Sequence, residues 1–227
     1  MKKGKLIVID GLDGSGKSTQ LEITEKKLIE LGHQVKTISF PDYNSPSSAL
    51  VKMYLGGEFS DNPNDINAYA ASSFYAVDRY ASYHKYWKKF YENGYIILAA
   101  RYVSSNAIHQ MSKVEQENWD SYIKWLYDYE YKKLGIPEAD SVIFLDMTIE
   151  ASQKFLSKRY DGDESKKDIH ESDISYLQNC RKSALYASEK LNWNVVECCT
   201  DNAPLSINEI SDKILTIIKK AIKEMEK

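Results

Sequence analysis

Cysteine is scarce in this chain of 227 residues, which has three: Cys180, Cys198 and Cys199. An odd number with one adjacent pair builds no disulfide framework and shows no metal-ligand spacing, so the three read as reduced packing residues. No apolar run is long enough to span a bilayer. Met1-Lys2-Lys3-Gly4 leads into a short apolar stretch ended by Asp10, which is neither a signal peptide nor a membrane anchor, so a cytoplasmic protein is expected. There is no basic excess either. A net charge of −3 argues against a broad nucleic-acid-binding face, and any phosphate-bearing partner has to be met locally. Repeats, low-complexity tracts and linkers are absent, and the length suits one domain over residues 1–227.

One motif stands out. Gly11-Leu12-Asp13-Gly14-Ser15-Gly16-Lys17-Ser18-Thr19 satisfies G-x-x-x-x-G-K-[ST] directly after the apolar run Leu6-Ile7-Val8-Ile9. A buried parallel strand that ends in glycines and opens a helix aims several backbone N–H groups at phosphate oxygens. Lys17 adds a point charge there, and the Ser18 hydroxyl is placed to hold Mg²⁺ beside a nucleotide.

Downstream, Gln20 to Leu31 has helical periodicity and stops at Gly32, and Val35 to Phe40 alternates as a strand. Phe40-Pro41-Asp42-Tyr43 then closes that strand where open α/β sheets place ligands. From Asp65 to Asn93 neither Gly nor Pro interrupts a long helix, on which Tyr75 and Arg79 share a face. Taken alone, that segment reads as a core helix with Arg79 snorkelling to solvent. Tyr95 to Ala99 is a third strand, and Arg101-Tyr102-Val103-Ser104-Ser105-Asn106 leaves its end. Beside a phosphate loop, Arg101 becomes a candidate for a second anionic group, because its fork matches phosphate. Glu115 to Leu134 is a helix with Trp119, Tyr122, Ile123, Leu126 and Tyr129 on its apolar stripe. Ser141 to Leu145 and Val195 to Cys198 are further strands, Ile149 to Leu156 and Ser172 to Leu191 further helices, and Ser206-Ile207-Asn208-Glu209 caps the last helix. The charged run from Lys158 to Asp168 reads either as a solvated loop or as a lid that delivers cations to transferring phosphates.

Taken together these pieces resemble the thymidylate kinases. The resemblance runs over nearly the whole chain: the loop from Gly11 to Thr19, Phe40-Pro41, Phe74-Tyr75-Ala76-Val77-Asp78-Arg79-Tyr80, Arg101-Tyr102-Val103-Ser104-Ser105-Asn106, and Asp168-Ile169-His170-Glu171 with Tyr176, Leu177 and Arg181. It implies a three-layer α/β fold of the P-loop NTPase kind, a five-stranded parallel sheet flanked by helices, with a mobile lid at about 157–171. It also implies transfer of the γ-phosphate of ATP to dTMP with Mg²⁺, in a homodimer.

Residue by residue, the resemblance implies that Arg79 and Arg101 hold the acceptor phosphate and that Phe40, Pro41 and Tyr43 shape that side of the pocket. Tyr75 stacks on thymine, and Arg79 and Asn106 reach the base edge with Ser105 beside them. His109 lies near the sugar and favours a 2′-deoxy acceptor. Asp13 matches a loop acid near the acceptor sugar and the metal, so Asp13 and Ser18 are the metal candidates. Glu171 and Asp168 match acids at the end of the lid. Gly14 stands where some relatives carry an arginine, which leaves Arg159 to supply the transition-state cation. Ala100 stands where the family pattern has Asp, which implies weaker metal positioning. Two other readings stay open: a kinase for a different nucleoside monophosphate or a deoxynucleoside, and a nucleotide-binding protein without turnover.

Overall fold

The computed structural model describes residues 3–60, 62–159, 173–201 and 203–223. Along the chain lie β1 (Lys5–Gly11), α1 (Lys17–Glu30), β2 (Val35–Ser39), α2 (Ala49–Leu55), α3 (Ala68–Ser82), α4 (Lys88–Glu92), β3 (Ile96–Ala100), α5 (Val103–His109), α6 (Trp119–Tyr127), β4 (Ser141–Asp146), α7 (Ile149–Arg159), α8 (Ile174–Lys190), β5 (Asn194–Glu197) and α9 (Ile207–Lys223). A short hairpin, β6 (Cys199–Thr200) with β7 (Ala203–Pro204), precedes α9.

Strands β1 to β5 form one sheet in the order β2-β3-β1-β4-β5, and every pairing in it is parallel. The unbroken apolar reading of β1 explains its central place, since a parallel strand covered on both faces has no polar side to offer. Leu6 and Val8 face one core, with Val103 and Ile108 of α5, Ile123 and Leu126 of α6 and Leu177 and Ala184 of α8. Ile7 and Ile9 face the other, with Leu28 of α1 and Ile210, Ile214 and Ile218 of α9. The chain therefore leaves β1 toward one face and β3 toward the opposite face. Their carboxyl ends, side by side, frame the crevice in which this sheet class binds ligands.

The long helix expected over 65–93 is interrupted. It runs as α3, widens into a π turn at Tyr83–Trp87 and resumes as α4 before Gly94. The helix expected over 115–134 likewise ends in a π turn, Asp128–Lys133. The capping box forms as read: Ser206 N–H donates to Glu209 at 2.8 Å, and Glu209 N–H donates to the Ser206 hydroxyl at 3.2 Å.

Candidate active site

The phosphate loop is shaped by its glycines. Gly16 is the N-cap of α1 with a φ of 85°, a left-handed conformation that a side chain would strain. Gly14, at a φ of 77°, lies so close to α7 that a Cβ would collide with the Ser152 carbonyl and press within 3.1 Å of Leu156. An arginine at position 14 therefore has no room, in agreement with its absence here. Lys17 is buried and donates to the carbonyls of Gly11 at 2.9 Å and Leu12 at 2.7 Å. The Ser15 hydroxyl, also buried, has no hydrogen-bond partner among the described residues, and the Ser18 and Thr19 side chains are exposed on the first turn of α1.

Beyond the loop opens a cavity of about 370 Å³, within the range of small-ligand sites. Asp13, Gly14, Gly16, Lys17 and Ser18 form one wall. Phe40, Pro41 and Tyr43 at the end of β2 form another, and Tyr75 and Arg79 of α3 a third. Ala100, Arg101, Ser105, Asn106 and His109 close it from the end of β3 and from α5. Of the residues expected at the site, Gly11, Ser15 and Thr19 support the loop without lining the cavity. The side chains of Lys158 and Arg159, and residues 160–172 with Asp168 and Glu171, lie outside what the structure describes.

Arg101 occupies the centre. Its backbone is left-handed at a φ of 64°, uncommon for a residue with a side chain, and its N–H is tied to the Ile9 carbonyl of β1 at 3.1 Å. From there Nη2 donates to the Asp13 carboxylate, and Nη1 reaches His109 Nε2 at 2.8 Å and Ser105 Oγ at 3.4 Å. A guanidinium only donates, so His109 Nε2 is the acceptor in that contact. Burial works to raise the Asp13 carboxyl, but the charges of Arg101 and Lys17 outweigh it and hold the group well below the usual carboxylate range. The ionised Asp13 and the Ser18 hydroxyl are oxygen donors on one wall, which fits a hard divalent cation. Among the described residues no cluster of three His, Cys, Asp or Glu side chains holds a metal unaided, so phosphate oxygens would have to complete the shell.

Sequence reasoning missed two residues. Asp10 is fully buried and accepts from Gly11 N–H at 2.8 Å, Ser104 at 2.6 Å and Ser105 at 2.8 Å, with Arg101 at 4.0 Å. The hydroxyl of Ser105 is thus directed at Asp10. Glu130, at 0% exposure, takes both Nε and Nη2 of Arg79, at 2.7 and 2.6 Å, and Asn106 Nδ2 at 3.0 Å. Snorkelling of Arg79 to solvent is therefore corrected: the side chain is 1% exposed and turns inward to this carboxylate. Removing either partner alone would strand a buried charge, at a cost of about 3–5 kcal/mol. The available signal was the position of Glu130 four residues after Leu126, a carboxylate on an otherwise apolar stripe.

The comparisons agree with this geometry. A family model described as thymidylate kinase matches residues 9–214. The chain is similar to the thymidylate kinase of Mycobacterium tuberculosis H37Rv, 29% identical over 185 residues that cover 80% of this chain and 84% of that protein. It is also similar to the thymidylate kinase of Dictyostelium discoideum, 24% identical over 230 residues that cover 100% of this chain and 90% of its relative. The solved structure of thymidylate kinase from Candida albicans superposes with a TM-score of 0.71 at 22% identity over 96% of this chain and 92% of that one, so the two share a fold. A match across nearly the whole sheet, from β1 to α9, leaves one assignment: the chain belongs to the thymidylate kinase family.

Proposed function

We propose that this protein is an ATP-dependent nucleoside-monophosphate kinase that transfers the γ-phosphate of ATP to dTMP, giving dTDP and ADP. The observation that carries the reading is the placement of Arg101 and Lys17 across one cavity, each reaching Asp13, with an acceptor pocket on the Arg101 side and the phosphate loop on the other. Lys17 and the loop amides hold the donor β- and γ-phosphates, and Arg101 holds the acceptor phosphate. An oxygen of that phosphate is a nucleophile at neutral pH, so it attacks the γ-phosphorus without a strong base while the bond to the β-phosphate oxygen breaks and ADP leaves. Alignment and neutralisation of charge are what the site has to supply.

Asp13 and Ser18 would hold Mg²⁺, whose chemistry there is to neutralise charge developing on the phosphate oxygens. Tyr75 offers a ring to the base, held edge-on at 88° against Tyr54. His109 narrows the sugar end, favouring a 2′-deoxy acceptor. The lid near 157–171 with Arg159 and Glu171, the single domain over 1–227, the homodimer and the cytoplasmic location remain part of this proposal; no helix among the described residues is long and apolar enough to cross a membrane. A coupled ADP-release assay with ATP and Mg²⁺, offered dTMP, dUMP, dCMP, dGMP, AMP and thymidine in turn, tests the reading. Strong turnover with dTMP is expected, and turnover only with another acceptor would overturn it.

A further inference from the structure

The buried group that the phosphoryl-transfer step leaves unused is Glu130, on the π turn Asp128–Lys133 behind the acceptor cavity. Its carboxylate is shared between two side chains from different helices, Arg79 of α3 and Asn106 of α5, both of which line the cavity. We propose that Glu130 is the positioning residue that sets base selectivity, by fixing which hydrogen-bonding atoms Arg79 and Asn106 leave for the acceptor base. The inference rests on the reading of this cavity as a nucleoside-monophosphate site and deepens it.

Asn106 has two N–H bonds, and both are used: one goes to Glu130 Oε1 at 3.0 Å and the other to the Ser72 carbonyl at 3.2 Å. With Nδ2 saturated by two acceptors, the amide has one orientation, and Oδ1 is the atom left for the cavity, as an acceptor. Arg79 gives Nε and one Nη2 hydrogen to the same carboxylate, so Nη1 is left, as a donor. Among the described residues neither Oδ1 nor Nη1 has another hydrogen-bond partner. The α3 side is braced as well, since the Ser72 hydroxyl donates to the Ala68 carbonyl at 2.7 Å and meets Tyr122 at 2.6 Å.

A donor beside an acceptor complements a ring that presents a carbonyl oxygen next to a ring N–H. A 4-oxopyrimidine has that edge; cytosine and adenine present the reverse, an amino group beside an unprotonated ring nitrogen. Glu130 also neutralises Arg79, so this end of the cavity meets an uncharged base while the cation of Arg101 remains for the phosphate. A shorter or uncharged side chain at 130 cannot serve Arg79 and Asn106 together, and the Asn106 amide is then no longer held in one orientation.

Calorimetric titration of dTMP, dCMP, dAMP and N3-methyl-dTMP into the wild-type protein and into Glu130→Asp and Glu130→Gln tests this by affinity, independently of turnover. Wild-type protein is expected to bind N3-methyl-dTMP, with one hydrogen bond blocked, about tenfold more weakly than dTMP, and dCMP and dAMP, with both reversed, about a hundredfold more weakly. In the variants the ratio of about a hundredfold is expected to fall to within about tenfold, with Glu130→Asp, which keeps the charge balance, impaired less than Glu130→Gln. Two results would overturn the proposal: wild-type protein that binds dCMP as tightly as dTMP, or a folded variant that weakens all ligands equally, as loss of a merely structural contact would do. Wild-type protein that binds dTMP selectively but yields no ADP would count against the kinase reading and leave the role of Glu130 standing.

Discussion

Arg101, held at the end of β3 with a φ of 64°, donates to Asp13 in the loop that follows the neighbouring strand β1. This pair joins the two halves of the cavity. Burial opposes a charge on Arg101, and Asp13 and Asp10 more than compensate, keeping the guanidinium charged at every accessible pH. The cation is thus in place before an acceptor phosphate arrives, which lowers the ordering cost at the transition state.

Arg101→Ala removes the charge-assisted donors at the acceptor phosphate, worth about 3 kcal/mol. It is expected to lower kcat/KM for dTMP about a hundredfold while changing the Kd for ATP little. Steady-state kinetics beside ATP titration checks the split, and equal losses for both nucleotides would refute the assignment.

Gly14→Ala forces a Cβ onto the Ser152 carbonyl in a left-handed backbone. Left-handed geometry alone costs about 1–2 kcal/mol, and α7 must also move away from the loop. A lower urea midpoint together with weaker ATP binding is expected; unchanged values would show that α7 yields freely.

Ala100 lines the cavity beside Arg101 where the family pattern carries Asp. Ala100→Asp is expected to raise kcat by about tenfold, equivalent to about 1.4 kcal/mol, with the dTMP Kd nearly constant. No gain would mean that the present carboxylates, Asp13 and the buried Asp10, already suffice.

Lys113 is a half-buried amine that donates to the Tyr54 hydroxyl at 2.8 Å and the Ile66 carbonyl at 3.1 Å, and desolvation pulls its ammonium down to about 8. Because the folded value lies below the unfolded one, the unfolded chain binds the extra proton between them. Stability from this group therefore rises with pH from about 8 to about 10.5 and is lost as pH falls through the lower value. Urea unfolding of wild type and Lys113→Met across that window should show the wild type gaining on the variant as pH rises. A constant difference would exclude the linkage.

The sequence alone determined what depends on neighbours along the chain. The apolar run of β1 and the glycines after it require a buried strand and a phosphate loop, the ends of β2 and β3 were readable from Pro41 and Arg101, and Ser206 with Glu209 marked the start of α9 to within one residue. These features follow from turn chemistry, capping and periodicity, each local. The partners of Arg79 were not legible, because Glu130 lies 51 residues away and meets it only when α3 packs beside the turn after α6. The two π turns were equally hidden, since their sequences keep helical composition and only tertiary packing selects the wider turn. Asp10 read as the end of a strand, yet with Ser104 and Ser105 it forms a buried carboxylate network that exists only once β1 and α5 are brought together. Tertiary structure decided these contacts because a buried charge is tolerable only where another part of the chain answers it, and no local pattern says which part that will be.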